Sequence, residues 1–427
     1  MIMANPCKST VLHAGMNIPL QIDNIAFGGA GVGRYENRAV FVPFTAPGDE
    51  LAVTITEVKN RYARGLIKEI LAASPLRIPP RCPYFTRCGG CDYQHLSYPE
   101  QLAVKEGQIR ETFRRIGGFP DPPVAAMIPS PQPFHYRGKG EFFRRRNRQG
   151  SATVGFLRAG SHELIEIERC EIVHESINAA LAELRSSGGR GGGRPGLQKL
   201  PVWSQEQSAS LPYDPGAVAE HLETAPGKIM SPGHCPPEYC RRQVRGKTLL
   251  VPQDGFFQAN LYLVASLVEV VTGMCALTGR ETVVDAYGGS GLFSLFLAPL
   301  ARQAVGIEGQ EAAVQCARLN LAREGIGNAD FLAGDVGDVL REMFVRTGRP
   351  VAVLLLDPPR TGCERAVLEA AAELRPARIV YVSCHPATLA RDCRFLAAAG
   401  YRLRCLQPLD MFPQTAHIET VCLLQTE

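Results

Sequence analysis

No stretch of this chain approaches the roughly 18 apolar residues that a membrane-spanning helix requires, and Met1–Thr10 lacks a signal-like apolar core. Both absences predict a cytoplasmic protein with no membrane partner. A large excess of charge of one sign is missing too. The net charge is only +4, so the distribution of cations says more about partners than their sum does. There is no internal repeat. The 14 cysteines do not imply a disulfide framework, because the cytosol keeps thiols reduced. Most are expected to be small buried hydrophobes, with a few carrying chemistry.

What is present organises into three parts. Met16 to Ala73 reads as short strands: Ala39–Pro43, Glu50–Thr56 and Arg64–Ile70 are alternating or β-branched runs, a spacing that suits a small barrel. Phe27–Gly33 is glycine-rich but lacks the dinucleotide spacing and opens no helix, so a tight barrel turn is expected. The proline-rich linker Pro75–Pro83 leads into a cysteine cluster, a helix over about Pro99–Ile116 and further strands between Phe134 and Cys170. Ser186–Gly196 is of low complexity and reads as a flexible excursion.

From about Val251, strand-like and helix-like runs alternate. The strands fall at Thr282–Asp285, Ala304–Glu308, Ala329–Leu332, Val351–Leu356, Arg378–Ser383, Tyr401–Cys405 and Ile418–Leu424. That alternation predicts a doubly wound, mostly parallel sheet. The last two runs leave no room for a long helix between them, so an antiparallel hairpin should close the sheet. Residues 10–74, 75–250 and 251–427 are therefore expected to form a barrel, a central α+β domain and a C-terminal α/β domain.

In open α/β sheets ligands bind beyond the carboxyl ends of the strands, and three successive ends here carry acids. Asp285-Ala-Tyr-Gly-Gly-Ser-Gly291 follows the first strand, its glycines permitting a sharp turn and close ligand approach. Glu308 ends the second strand, placed for ribose hydroxyls, and Asp335 follows the third, within reach of an adenine amine. No Gly-Lys-Ser/Thr follows the glycine turn, which favours a nucleoside ligand without a pyrophosphate: S-adenosylmethionine rather than a nicotinamide.

Asp357-Pro-Pro-Arg360 ends the fourth strand, its prolines making a rigid wall without amide donors. Cys384 ends the fifth, at the turn where an α/β enzyme displays a nucleophile, and Glu419 stands at the start of the last. A methyl acceptor that requires a thiol is itself a poor nucleophile, and carbon 5 of a pyrimidine is one. Thiolate addition at carbon 6 makes an enolate, carbon 5 takes the methyl group, and a base then removes the carbon 5 proton. Cys384 and Glu419 fill these two roles. The thiol requires activation, its reference pKa lying near 8.5.

Cys82, Cys88 and Cys91 stand as C-x5-C-x2-C, three thiols that call for a fourth. Cys170 is the nearest downstream candidate, with Cys235 and Cys240 as competitors. Such a set holds zinc or an iron–sulfur cluster. Phe134–Arg148 mixes cations with aromatics, suiting phosphates and stacked bases of single-stranded RNA. Lys59, Arg61, Arg64 and Lys68 add cations on the barrel.

Phe256-Phe-Gln-Ala-Asn260, Asp285–Gly291, Asp357–Arg360, Ser383-Cys-His-Pro386 with Thr388–Asp392, and His417-Ile-Glu419 together resemble the RNA 5-methyluridine methyltransferase family over nearly the whole chain. The resemblance implies a class I S-adenosylmethionine-dependent methyltransferase domain, with Cys384 as nucleophile and Glu419 as base. It also implies that Gln258, Tyr287, Gly288, Glu308, Asp335 and Asp357 are cofactor or pocket residues. The cysteine stretch, with Gln94-His95, Tyr98 and Gln101-Leu102, resembles that of the family's larger members, implying a 4Fe-4S cluster on Cys82, Cys88, Cys91 and Cys170. The barrel resembles the TRAM domain, an oligonucleotide-fold-like RNA binder. Barrel and cluster together imply ribosomal rather than transfer RNA as partner, with the enzyme acting as a monomer. Two positions depart from the family: Asp-Leu-Phe-Cys-Gly is replaced by Asp285-Ala-Tyr-Gly-Gly, and His385 replaces the usual Asn after the nucleophile. The alternatives are a transfer RNA uridine enzyme, an RNA cytosine C5-methyltransferase and a non-catalytic RNA-binding assembly factor.

Overall fold

The computed structural model of the protein describes residues 12–146, 152–186, 197–204 and 239–426. Near the N-terminus, β1 (Asn17–Gln21), β2 (Asn24–Ile25), β3 (Ala30–Tyr35), β4 (Arg38–Pro43), β5 (Glu50–Val58) and β6 (Tyr62–Ala72) form one sheet in the order β1-β5-β6-β4-β3-β2. Alternate side chains point inward, as the two-residue period of a strand requires. Ile18, Leu20, Val40, Val42, Leu51, Val53 and Ile55 make a closed core. Only the start of the glycine run is a turn: Gly28 and Gly29 have φ of 97° and 92°. Gly31 and Gly33 lie inside β3, where a Cβ would meet Thr45 Oγ1 at 1.9 Å and the Gln21 carbonyl at 2.0 Å. Crowding, not turning, selects glycine there. The fully buried Asp49 accepts two hydrogen bonds from Arg77, at 2.8 and 2.6 Å, which fastens the following linker to the barrel.

In the central region α1 (Tyr98–Thr112) begins with Pro99 and Glu100 in its first turn, which suit a helix N-terminus. It runs into a π-turn, Phe113–Gly117, closed by Gly118 at φ 73°. The strands β7 (Lys139–Arg146), β8 (Ala152–Leu157), β9 (Leu164–Glu166) and β10 (Leu197–Trp203) form an antiparallel sheet in the order β10-β7-β8-β9. Against it packs α2 (Glu175–Ser186), through Ile177 and Leu181. Most of the low-complexity segment, residues 187–196, lies outside the described residues. A hairpin of β11 (Tyr239–Val244) and β12 (Lys247–Pro252) then packs Val244, Leu249 and Val251 into the core of the C-terminal region.

That region is built on β13 (Thr282–Ala286), β14 (Gln303–Glu308), β15 (Ala329–Ala333), β16 (Val353–Leu356), β17 (Arg378–Ser383), β18 (Tyr401–Leu409) and β19 (Glu419–Thr426). Their order is β15-β14-β13-β16-β17-β19-β18. The first five pair in parallel, and β19 runs antiparallel between β17 and β18, the expected closing hairpin. Helices cover both faces, so the inner strands read as continuous apolar runs such as Leu354–Leu356 and Val380–Val382. From β13 the chain winds outward to β15, then returns to β16, placing the topological switch between β13 and β16. Ligands bind at such a switch. Among the described residues no helix is long and apolar enough to cross a membrane.

Candidate active site

A cavity of about 760 Å³ opens at this switch. On its cofactor side the loop after β13 bends through Tyr287, Gly289 and Gly291, all at positive φ. Gly288 has no room for a side chain, since a Cβ would lie 2.8 Å from Phe331. Asp285 does not line the cavity. Fully buried, its carboxylate accepts from the Ser294 amide at 3.0 Å and hydroxyl at 2.6 Å, so it is the cap of this turn. Glu308 Oε2 accepts from the Gly289 amide at 3.0 Å and Oε1 from the Gln310 amide at 2.8 Å. Asp335 Oδ1 accepts from the Asp338 amide at 3.0 Å. Each carboxylate keeps lone pairs for a ligand's hydroxyl or amine. Gln258, Tyr287, Gly288, Glu308 and Asp335 all line the cavity.

Asp357, Cys384 and Glu419 line its other half. They come from three neighbouring strands: β16 pairs with β17, and Ser383 on β17 faces Thr420 on β19, one step from Cys384 and Glu419. Burial raises the Cys384 thiol to about 12; Glu419 and Asp357 push the same way and Arg360 opposes them. Burial, then Asp357, holds the Glu419 carboxyl well above the usual range. Asp357 is raised to about 8 by burial, then by Asp285 and Glu308. Buried acids held protonated in this way suit a positively charged ligand, which would let them ionise.

Arg360 is the cation facing the thiol, and it contacts His417 Nδ1 at 3.3 Å. Burial and Arg360 lower the His417 imidazole to about 4, so it is neutral. Neither residue stood out in the sequence beyond its motif, and the lining aromatic Phe256, 74% exposed, was legible only as part of Phe256–Asn260. His385 is not part of the cavity lining. Its Nδ1 accepts from the Thr388 amide at 3.3 Å, capping the helix Pro386–Ala398, and its ring meets Phe27 edge-on at 5.0 Å. It fills the capping role open to an Asn.

The chain is similar to known proteins. Residues 241–427 match the family model described as tRNA (Uracil-5-)-methyltransferase, and residues 15–68 match the TRAM domain. An uncharacterized RNA methyltransferase of Thermosynechococcus vestitus is 35% identical, over 98% of this chain and 100% of its own length. One from Nostoc sp. is 35% identical over 98% of each. The solved Pyrococcus abyssi tRNA (uracil-54, C5)-methyltransferase, in complex with S-adenosyl-L-homocysteine, has a TM-score of 0.65 and 25% identity, covering 95% of this chain and 100% of that one. The chain belongs to the RNA (uracil-5-)-methyltransferase family. It is an S-adenosylmethionine-dependent enzyme with an N-terminal TRAM domain.

A second cavity in this methyltransferase, of about 280 Å³, is lined by Cys82, Cys88, Cys91 and Cys170. Gln94 braces it, donating to Cys91 Sγ at 3.3 Å and accepting from the Cys82 amide at 2.9 Å. Burial raises all four thiols, Cys88 to about 11, and Cys88, Cys91 and Cys170 are raised further by other thiols of the set. Cys240 stands apart on β11, against the Val251 carbonyl, and Cys235 lies outside the described residues. Among the described residues no group of three or more His, Cys, Asp or Glu is arranged to hold a metal ion.

The basic aromatic stretch divides by face. Tyr136 and Phe142 are fully buried, and Phe142 stacks on Phe156 at 4.8 Å. These two aromatics are core, which corrects the expectation that they stack on bases. Arg145 is exposed and donates to the His162 carbonyl, while Arg144 is half-buried and donates to Gln198. Arg137 lines both cavities. Asn147 and Arg148 lie outside the described residues. On the barrel, Lys59 pairs with Glu57 at 2.7 Å, while Arg61 and Lys68 are exposed.

Proposed function

We propose that this enzyme methylates carbon 5 of a uridine in RNA through a covalent adduct on Cys384, with Glu419 as the base. The observation that carries the reading is the placement of Cys384 and Glu419 on paired strands of one cavity, beside the acids that end β14 and β15. S-adenosylmethionine supplies a methyl group on a cationic sulfonium. Glu308, Asp335, Gln258 and the turn at Tyr287–Gly288 hold it, and Asp357 faces its charge. The flipped uridine presents carbon 6 to the Cys384 thiolate, which Arg360 favours. As the carbon–sulfur bond forms, the C5=C6 electrons move onto the carbon 4 oxygen as an enolate. Carbon 5 takes the methyl group, its proton passes to the Glu419 carboxylate, and the C5=C6 bond re-forms as sulfur leaves.

Cys82, Cys88, Cys91 and Cys170 would hold a 4Fe-4S cluster. The support is the donor set itself: four thiols on the lining of one cavity. Such a cluster spreads its ligands more widely than a single ion does. Methyl transfer consumes no electrons, so a structural or RNA-positioning role is proposed for the cluster. We take the target to be ribosomal RNA, an analogy that rests on finding barrel and cysteine set in one chain. A transfer RNA target is the second reading, because the similar Pyrococcus abyssi enzyme acts on uracil-54 of transfer RNA. Mapping 5-methyluridine in both RNA pools of cells lacking the protein decides. Loss at a ribosomal uridine is expected, loss at a transfer RNA uridine supports the second reading, and no loss in either pool overturns both.

A further inference from the structure

The segment between β18 and β19 brings Phe412, His417 and then Glu419 to the catalytic cavity. Within itself it makes only short-range bonds, such as those from Thr415 to the Phe412 carbonyl. Much of its polar backbone is instead held by the central region. Lys105 donates to Asp410 at 2.6 Å and to the Phe412 carbonyl at 3.0 Å, with the Lys105 and Asp410 side chains fully buried. Tyr136 donates to the Pro413 carbonyl at 3.0 Å. Gln101 exchanges bonds with Gln414, and the Asp92 and Tyr93 amides donate to the Gln414 carbonyl at 2.9 and 3.0 Å. The last anchor before His417 is Asp92, whose Oδ2 accepts from the Ala416 amide at 2.8 Å.

Asp92 directly follows Cys91 in the chain. It also meets the barrel: a Cβ at Gly29 would lie 3.1 Å from Asp92 Cβ and 3.2 Å from Ala416 Cβ. Barrel turn, cysteine loop and base-bearing segment thus converge on one contact.

We propose that Asp92 is a positioning residue for Glu419, and that through it the four-cysteine loop holds the base in place. The inference rests on the proposed function in taking Glu419 as the base and the four cysteines as ligands of an iron–sulfur cluster. Removing the Asp92 carboxylate leaves the Ala416 amide without its acceptor and loosens the end of the segment nearest Glu419, beyond the anchors at Asp410 to Gln414. A misplacement of about 1 Å in a reacting group costs on the order of 100-fold in rate. The cofactor side is built on other elements, so affinity for S-adenosylmethionine is unaffected.

The test uses the full-length protein purified without oxygen, as wild type, Asp92→Ala and Asp92→Asn. In Asp92→Ala, kcat is expected to fall about 100-fold with the KM for S-adenosylmethionine unchanged, and Asp92→Asn, which keeps an acceptor oxygen, restores most of it. Amide hydrogen exchange over residues 410–418 speeds up in Asp92→Ala, and also in wild type stripped of iron by a chelator, while residues 282–286 stay protected. Unchanged exchange over 410–418 in either sample overturns the proposal. So does a fall in kcat matched by weaker cofactor binding and general loss of protection, which marks Asp92 as merely structural. Exchange needs no turnover: should wild type fail to methylate uridine while 410–418 still responds, the proposed function falls and the coupling stands.

Discussion

The two cavities bury the same kind of group by different constructions. In the catalytic cavity a thiol and two carboxyls stand at the ends of three adjacent strands, and Arg360 acts on the thiol. In the cysteine cavity four thiols come from one tight loop and one distant segment. A parallel sheet brings strand ends together whatever the loops contain, so the catalytic set follows from topology. The cysteine set depends on loop wrapping, and burial alone leaves its thiols protonated and uncompensated. One cavity is completed by the sheet, the other by the wrapping of a loop.

The largest expected contrast comes from removing one thiol from each. Cys384→Ala abolishes methyl transfer and leaves any iron content intact. Cys170→Ser loses the brown absorbance near 400 nm (roughly, as for an iron–sulfur centre) yet retains the catalytic thiol. Colourless wild-type protein carrying stoichiometric zinc contradicts the iron assignment. Reversed effects of the two variants would dissolve the distinction between the cavities.

A smaller effect separates them by pH. The folded state raises Asp357 to about 8, so between the ordinary carboxyl range and pH 8 the folded protein binds more protons than the unfolded one. Its contribution to stability is complete at low pH and is lost as pH rises through about 8. S-adenosylmethionine, a cation, should therefore raise the melting temperature more at pH 8 than at pH 6. Single-turnover methyl transfer should climb over the same range, by up to about tenfold per pH unit, because thiolate and carboxylate are the reactive forms. A flat profile contradicts the burial of these groups in the working enzyme.

The smallest effect is expected at His385. Its ring is committed to the Thr388 amide and to Phe27, so His385→Asn, which keeps a capping acceptor, should change kcat by less than about threefold. A larger loss would bring His385 into the activation of the thiol.

The seven strands of the C-terminal region were legible because buried β-branched runs alternate with helical ones, and Glu308, Cys384 and Glu419 were legible because they sit at strand ends. Less local features were not. Asp285 looks like a ligand contact in the sequence but turns inward to Ser294. Phe142 and Phe143 are neighbours, yet the two-residue period sends one into the core and the other to the cysteine cavity. The Lys105–Asp410 pair joins positions 305 residues apart, a distance over which no local pattern survives.

The central claim is that Cys384 bonds carbon 6 and Glu419 removes the carbon 5 proton. It is tested most directly by incubating Glu419→Gln with S-adenosylmethionine and a uridine-containing RNA substrate, then analysing the products under denaturing conditions. With the base gone, sulfur cannot leave, and a methylated RNA–protein adduct on Cys384 should accumulate while turnover falls about 10²–10⁴-fold. Absence of the adduct, or its formation through a residue other than Cys384, would contradict the account.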